Sequence, residues 1–433
     1  MQSVIFYGVG QNLKKNFAKW YKNGLKPTCL ADASKGKHHS TFSTPSGVLE
    51  VLPLLEALNM YPDYLLYITL EKPRLAEVTE YLLGIGIPYE RIRYCDGFQK
   101  SGQCPFLDSD TMIVETVLSK EASFTYCCVN VPHKATFSAT GDFLCDYQTL
   151  CECCDTLRKM LSAGYYTYCD DCMHKRDISD TGKQNKVFKQ FLIAGGIVGL
   201  EKCNFNCSYC IYPNIGHGKQ IATLETDKRY DALELFKIIE SNFDPHDVYI
   251  SLTGGEISVS KYKDEITSIW NKNKWRGDIA SNSSVFVPGV ASLLEQRLIY
   301  LVTALDSGTS ETFAKVKGTN LFEKVLNNLE KYAETGGRIV IRYVILEGIN
   351  DSTEELGAFF DIMNQLYKKY PLTSLVLDRD LRTNQNGISQ DEINACKYFR
   401  DKCYEYGINF IFSKNTFFQS DILSVTSHES KGD

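Results

Sequence analysis

Apolar residues recur along this chain with two alternating periods. Val4 to Gly8 is an apolar run, Leu13, Phe17, Trp20 and Tyr21 fall at helical spacing, and Pro27 to Asp32 returns to strand-like composition. Tyr64 to Leu70 and Ile92 to Asp96 add two strands, with a helical stretch around Ala76 to Leu83 between them. Strands that alternate with helices close economically as a parallel sheet covered by helices, so residues 1–98 are predicted to form a Rossmann-like unit. The alternation resumes at Phe191 to Ile197 and continues through Val248 to Thr253, Asp278 to Ser281, Ile299 to Asp306, Ile339 to Ile345, Ser374 to Asp378 and Ile408 to Phe412. Helical faces lie between, as with Ala232, Leu235, Phe236 and Ile239, or Phe322, Val325, Leu326 and Leu329. Residues 187–415 therefore read as a partial (β/α) barrel of the TIM type, followed by a tail over 416–433. The fold class is α/β.

Between the two patterns, residues 99–186 show little periodicity, and ten cysteines fall between Cys95 and Lys186. This stretch reads as a cysteine-rich connector. The whole chain has 433 residues, 43% hydrophobic and 23% charged, enough for two or three domains. Its net charge of −6 comes from intermixed acids and bases, with no basic stripe, so nucleic acid is not an expected partner. The longest apolar run, Phe191 to Leu200, is about half of the ~20 residues that a spanning helix needs, and the N-terminus lacks a signal-peptide pattern. No membrane insertion and a cytoplasmic location are expected. Sixteen cysteines in such a chain favour metal ligation over disulfides, in a reducing compartment.

Cys203-Asn-Phe-Asn-Cys207-Ser-Tyr-Cys210 follows the first strand of the predicted barrel, where barrel enzymes carry their active-site loops. Three thiolates within eight residues can wrap one face of a cubane cluster and leave one iron open for a non-protein ligand. Zinc also takes closely spaced thiolates, but normally in two separated pairs. The spacing, with the aromatic Tyr209 before the last cysteine, resembles the signature of the radical S-adenosylmethionine (SAM) superfamily. That resemblance implies an oxygen-sensitive [4Fe-4S] cluster on Cys203, Cys207 and Cys210, with SAM chelated at the open iron. It also implies reductive cleavage of SAM to methionine and a 5'-deoxyadenosyl radical that abstracts a substrate hydrogen. An electron donor such as flavodoxin or ferredoxin goes with that chemistry.

Further segments follow in the order many radical SAM barrels show. Gly254-Gly255-Glu256 ends a strand; glycines admit close backbone approach and a carboxylate pairs with an ammonium, and the resemblance assigns these residues to the methionine amino group. Asn282 becomes a ribose or carboxylate contact, although Ser283 stands where the family often has glycine. Asp306, in the segment Asp306-Ser307-Gly308, corresponds to a strand-end contact. Arg342 either faces the SAM carboxylate or makes a surface ion pair on the outer face. Gly348-Ile349-Asn350-Asp351 comes after it.

In the connector, the adjacent Cys127 and Cys128 followed by Cys169-Asp-Asp-Cys172 resembles a segment before the barrel in some radical SAM proteins, where a second iron–sulfur cluster is suspected. Cys127, Cys128, Cys169 and Cys172 are the expected ligands. Structural zinc, bare thiols, or Cys153 or Cys154 replacing one of the adjacent pair stay open. His133 and His174 read as ordinary surface or core residues. In the first unit, Gly8-Val9-Gly10 with Asp32 ending the next strand gives the layout of a dinucleotide fingerprint, but Leu13 occupies the third glycine position. The unit resembles Rossmann-like domains attached to enzymes of surface-polysaccharide and sugar-nucleotide biosynthesis, so substrate recruitment or a partner contact is preferred to nicotinamide binding. The expected substrate is a sugar, nucleotide sugar or glycan precursor. The alternatives are a peptide, for a maturase, and a non-enzymatic metal-binding scaffold.

Overall fold

The structure is a computed structural model that describes residues 2–104, 107, 111–115, 123–126, 136–169, 172, 175–177, 189–193, 197–210, 230–371, 373–383, 387–413, 416, 417 and 419–426. The chain divides into two compact units, Met1–Asp108 with Cys153–Gln184, and Ser109–Glu152 with Asn185–Asp433.

In the first unit β1 (Ser3–Tyr7), β2 (Cys29–Asp32), β3 (Thr41–Thr44), β4 (Gly47–Pro53), β5 (Tyr64–Ile68) and β6 (Ile92–Tyr94) lie in the order β3-β4-β2-β1-β5-β6. All neighbours are parallel except the β3–β4 pair. The chain runs outward from β1 through β2 to β4, then to the other side through β5 to β6, which is the doubly wound order of a Rossmann-like sheet. Alternation along β1 sends Ile5 and Tyr7 to one core with Leu66, Ile68, Val78 and Leu82. Phe6 goes to the other face, against Leu13, Phe17 and Trp20 of the helix Gln11–Lys22. The strands β3 and β4 fall in a stretch that the apolar pattern left unassigned; β3 alternates only exposed and half-buried residues, which gives no hydrophobic run to read. A short strand β7 (Gly102–Gln103) pairs antiparallel with Arg176–Asp177, β11 in chain order.

The second unit is built on a sheet of ten strands among the described residues. β12 (Lys189–Ile193), β13 (Val248–Leu252), β14 (Arg276–Ala280), β15 (Ile299–Ala304), β16 (Arg338–Ile345), β17 (Ser374–Arg379) and β18 (Phe410–Phe412) are neighbours in sequence and in space, all parallel. Helices separate each successive pair, among them Ala232–Asn242, Lys263–Asn273, Ser310–Lys317, Phe322–Ala333 and Thr353–Lys369. Sequential order without reversal is the winding of a (β/α) barrel, and with β18 at one end the sheet is open among the described residues. Alternation along β16 buries Ile339, Ile341 and Tyr343, the last with its ring 4.7 Å from Phe359, and turns Val340 and Arg342 to the other face.

The connector is more ordered than its texture suggests. β8 (Met112–Glu115) joins the barrel sheet parallel to β12, followed by antiparallel β9 (Ser123–Thr125) and β10 (Thr136–Ser138). A twenty-residue helix, Phe143–Ser162, carries Cys145, Cys151, Cys153 and Cys154. Within the stretch read as a tail, the helix Gln419–Thr426 brings Asp421 to 3.2 Å from Arg379.

Candidate functional site

A cavity of about 290 Å³ opens at the C-terminal ends of β13 to β17. Cys203, Cys207 and Cys210 line one wall, and Thr253, Gly254, Gly255, Glu256 and Asn282 line another. The cysteine loop is held from below: Asn206 N–H donates to the Lys317 carbonyl at 2.9 Å and Ser208 N–H to the Val316 carbonyl at 2.8 Å, on either side of Cys207. Arg382, from the loop after β17, donates to the Ser208 carbonyl at 2.5 Å. Burial pushes the Cys203 thiol up to about 12, and it raises Cys207 while Lys317 pulls the other way.

The Gly-Gly-Glu turn is cut to fit this loop. Glu256 N–H donates to the Lys202 carbonyl at 2.8 Å, and Gly255, at φ +61°, sits where a Cβ would lie 1.8 Å from the Leu200 oxygen. Only glycine satisfies both the left-handed conformation and that approach. Glu256 itself is buried, its carboxylate accepting from Ser258 N–H at 2.9 Å, the Ser281 hydroxyl at 2.7 Å and Asn282 N–H at 2.6 Å. Burial raises its carboxyl above the usual range against the pull of those donors.

Asn282 reaches the cysteine loop directly, donating to Asn204 at 2.8 Å and approaching Cys203 Sγ at 3.8 Å. Ser283 does take the left-handed conformation glycine favours, at φ +55°. It is held there by a hydroxyl contact of 2.8 Å to Thr303 and by Asn328, which donates to its carbonyl at 2.9 Å. Arg342 lies on the cavity face, not the outer one, with Nε 2.7 Å from Asp378 Oδ2. Asp378 in turn accepts from Thr416 at 3.0 Å.

Asp306 is among the expected contact residues, yet it is fully buried and absent from the cavity lining. Its oxygens are taken by Val344 N–H at 2.7 Å, the Tyr209 hydroxyl and the Lys317 ammonium. Lys317, which does line the cavity, stands out in the sequence as part of Lys317-Gly318 but is given no role there, because a lysine in the last turn of a helix ordinarily reads as a solvated residue. Asn350 fastens the same region, donating to the Asp306 carbonyl at 2.9 Å and the Val344 carbonyl at 2.8 Å while accepting from Leu346 N–H.

Of the residues expected at a second metal site, Cys127 and Cys128 lie outside the described residues; so do His133 and His174, which are expected to be ordinary surface or core residues. Cys169 is buried, and Cys172 N–H donates to its carbonyl at 3.1 Å. Among the described residues no group of three or more His, Cys, Asp or Glu is arranged around a single ion. A cubane asks for something else, since each thiolate takes a different iron, and three thiols along one cavity wall suit that group. In the first unit Asp32 is turned inward, accepting from Val9 N–H at 2.6 Å and pairing with Lys37 at 2.9 Å. The fingerprint acid is thereby engaged by its own glycine turn. No helix among the described residues is long and apolar enough to cross a membrane.

Residues 197–360 match the family model of the radical SAM superfamily. GTP 3',8-cyclase of Aliarcobacter butzleri is 27% identical over 153 residues, which are 35% of this chain and 46% of that protein. The radical SAM cyclopropyl synthase TigE of Paramaledivibacter caminithermalis is 22% identical over 225 residues, 46% of each chain. The chain thus spans about half the length of these curated relatives. Among solved structures, Streptococcus suis SuiB bound to S-adenosylmethionine overlaps 52% of this chain and 50% of its own, at 15% identity and a TM-score of 0.38.

Proposed function

Residues 197–360 are a radical SAM domain, and on that premise we propose that the chain is an enzyme that reductively cleaves SAM and takes a hydrogen from an organic substrate. The family implies a [4Fe-4S] cluster and SAM. When bound, the cluster supplies the electron that splits the sulfonium of SAM into methionine and a 5'-deoxyadenosyl radical. Cys203, Cys207 and Cys210 would hold three of its irons. The observation that carries the reading is the meeting, across one cavity, of these thiols with the buried carboxylate of Glu256.

Each remaining residue has a part in that arrangement. Glu256, fixed by three donors, offers its carboxylate to the methionine ammonium, with Gly254 and Gly255 letting backbone come close. Arg342 faces the methionine carboxylate, and Asn282 a ribose or carboxylate oxygen. Val302, Ala304, Val344 and Leu381 give the cavity apolar walls that keep stray hydrogen donors from a reactive radical. A flavodoxin or ferredoxin is the fitting electron donor. Cys127, Cys128, Cys169 and Cys172 are proposed to carry a second iron–sulfur site.

For the substrate we favour a sugar, nucleotide sugar or glycan precursor, which rests on the character of the Rossmann-like unit. The deciding experiment is iron and sulfide analysis with Mössbauer or EPR spectra of anaerobically reconstituted protein, beside a Cys203, Cys207, Cys210 triple alanine variant. Two clusters falling to one supports both sites, one falling to none restricts the reading to the barrel, and a wild type without a cluster overturns it.

A further inference from the structure

Beneath the cysteine loop two opposite charges are sealed in the protein. Lys317 ends the helix Ser310–Lys317 with its side chain 2% exposed, and its ammonium meets the carboxylate of Asp306, which is 0% exposed. Tyr209 joins them: its hydroxyl donates to Asp306 and accepts from Lys317 at 2.8 Å, and the ammonium stands 5.0 Å from the centre of its ring. Tyr209 is the residue before Cys210, and the carbonyls of Val316 and Lys317 hold the backbone on both sides of Cys207. The pair is thus fastened to the thiol loop by side chain and main chain together.

Stability alone is a weak reason for such a pair, since replacing a buried ion pair by apolar groups is often neutral or stabilising. Its effect on neighbouring charge is larger than that of a surface pair, because both side chains are almost wholly buried and screening is low. Lys317 lines the same cavity as Cys203, Cys207 and Cys210, and Tyr209, which bonds both charges, is adjacent to Cys210 in the thiol loop.

We propose that Lys317 and Asp306 are a pair of fixed, opposed charges that set the reduction potential of the centre held by Cys203, Cys207 and Cys210, the lysine raising it and the aspartate lowering it. The inference rests on the cluster reading above. Reduction adds one negative charge at the thiol wall; a buried cation stabilises the added electron and a buried anion disfavours it. Lys317 and Asp306 are therefore positioning residues, since neither needs to touch substrate.

The test is an EPR-monitored redox titration of the anaerobically reconstituted full chain, with dithionite as reductant, for wild type, Lys317→Met, Lys317→Arg and Asp306→Asn. Asparagine tolerates the left-handed backbone of Asp306, at φ +58°. The expected result is a midpoint lowered in Lys317→Met and raised in Asp306→Asn, each by about tenfold in the reduction equilibrium, about 59 mV for one electron. Lys317→Arg should stay close to wild type. Shifts in the same direction, or none, with iron content unchanged overturn the inference and leave the cluster reading standing. If Lys317→Met holds too little iron to titrate, Asp306→Asn decides alone, an unchanged or lowered midpoint being fatal. A wild type that takes up no cluster overturns the cluster reading and this inference with it.

Discussion

Single residues in this site differ in how much of their role a sequence can carry. Cys203, Cys207, Cys210 and the run Gly254 to Glu256 are legible because their chemistry depends on residue type at short spacing. Lys317 is not, because its meaning lies in partners 11 positions away at Asp306 and 108 away at Tyr209. Asp306 was legible as a strand-end carboxylate, but only the structure turns it away from the cavity. Gly255→Ala is expected to cost about 3 kcal/mol, from left-handed strain and the clash with the Leu200 carbonyl. Urea unfolding would measure this, and equilibrium dialysis should show SAM binding lost. Cys207→Ala should abolish 5'-deoxyadenosine production while the first unit keeps its fold, because it removes a proposed cluster ligand remote in sequence from that unit. Unaltered 5'-deoxyadenosine yield in this variant would remove Cys207 from the ligand set.

Elements are positioned by contacts that neither period announces. The helix Ser310–Lys317 begins at Thr309, whose hydroxyl accepts from Thr312 N–H at 3.2 Å, a cap that the sequence displays. Its second cap comes from 46 residues further on. Glu355, in the helix Thr353–Lys369, accepts from Gly308 N–H, Thr309 N–H and the hydroxyls of Thr309 and Thr312 at 2.5 to 3.1 Å. Replacing Glu355 by Ala strands these donors and is expected to cost about 3 kcal/mol, read by chemical denaturation. Because the same helix carries Lys317 at its other end, iron retention should fall as well. β1, β2, β5, β6 and β12 to β18 fall within or across runs that the apolar pattern predicts, whereas β3, β4, β8, β9 and β10 are short or lack a hydrophobic run and are not predicted by it. The helix Phe143–Ser162 is not predicted either: it lies in the connector, where Cys145, Cys151, Cys153 and Cys154 blur the apolar period.

At the scale of the molecule, the barrel sheet draws on residues well upstream of the matched family region. Phe191, Leu192 and Ile193 of β12 pair with Met112, Ile113 and Val114 of β8, and β9 and β10 continue the sheet beyond. A chain truncated to begin at residue 187 would leave β12 with an unpaired edge beside the cysteine loop, and such edges recruit other chains. We expect that truncation to appear as aggregate in size-exclusion chromatography, while one beginning at residue 109 stays monodisperse; equal behaviour of the two would show that β8 is dispensable. The same arrangement sets a schedule for synthesis. Strands β8 to β10 emerge from the ribosome first, and Lys189, where the partner of β8 begins, follows Ser138 at the end of β10 by 51 positions. At about 5–20 residues per second that is a wait of roughly 3–10 seconds. During that interval β8 shows its bare side to the cell, so the yield of the enzyme depends on how fast those fifty codons are read.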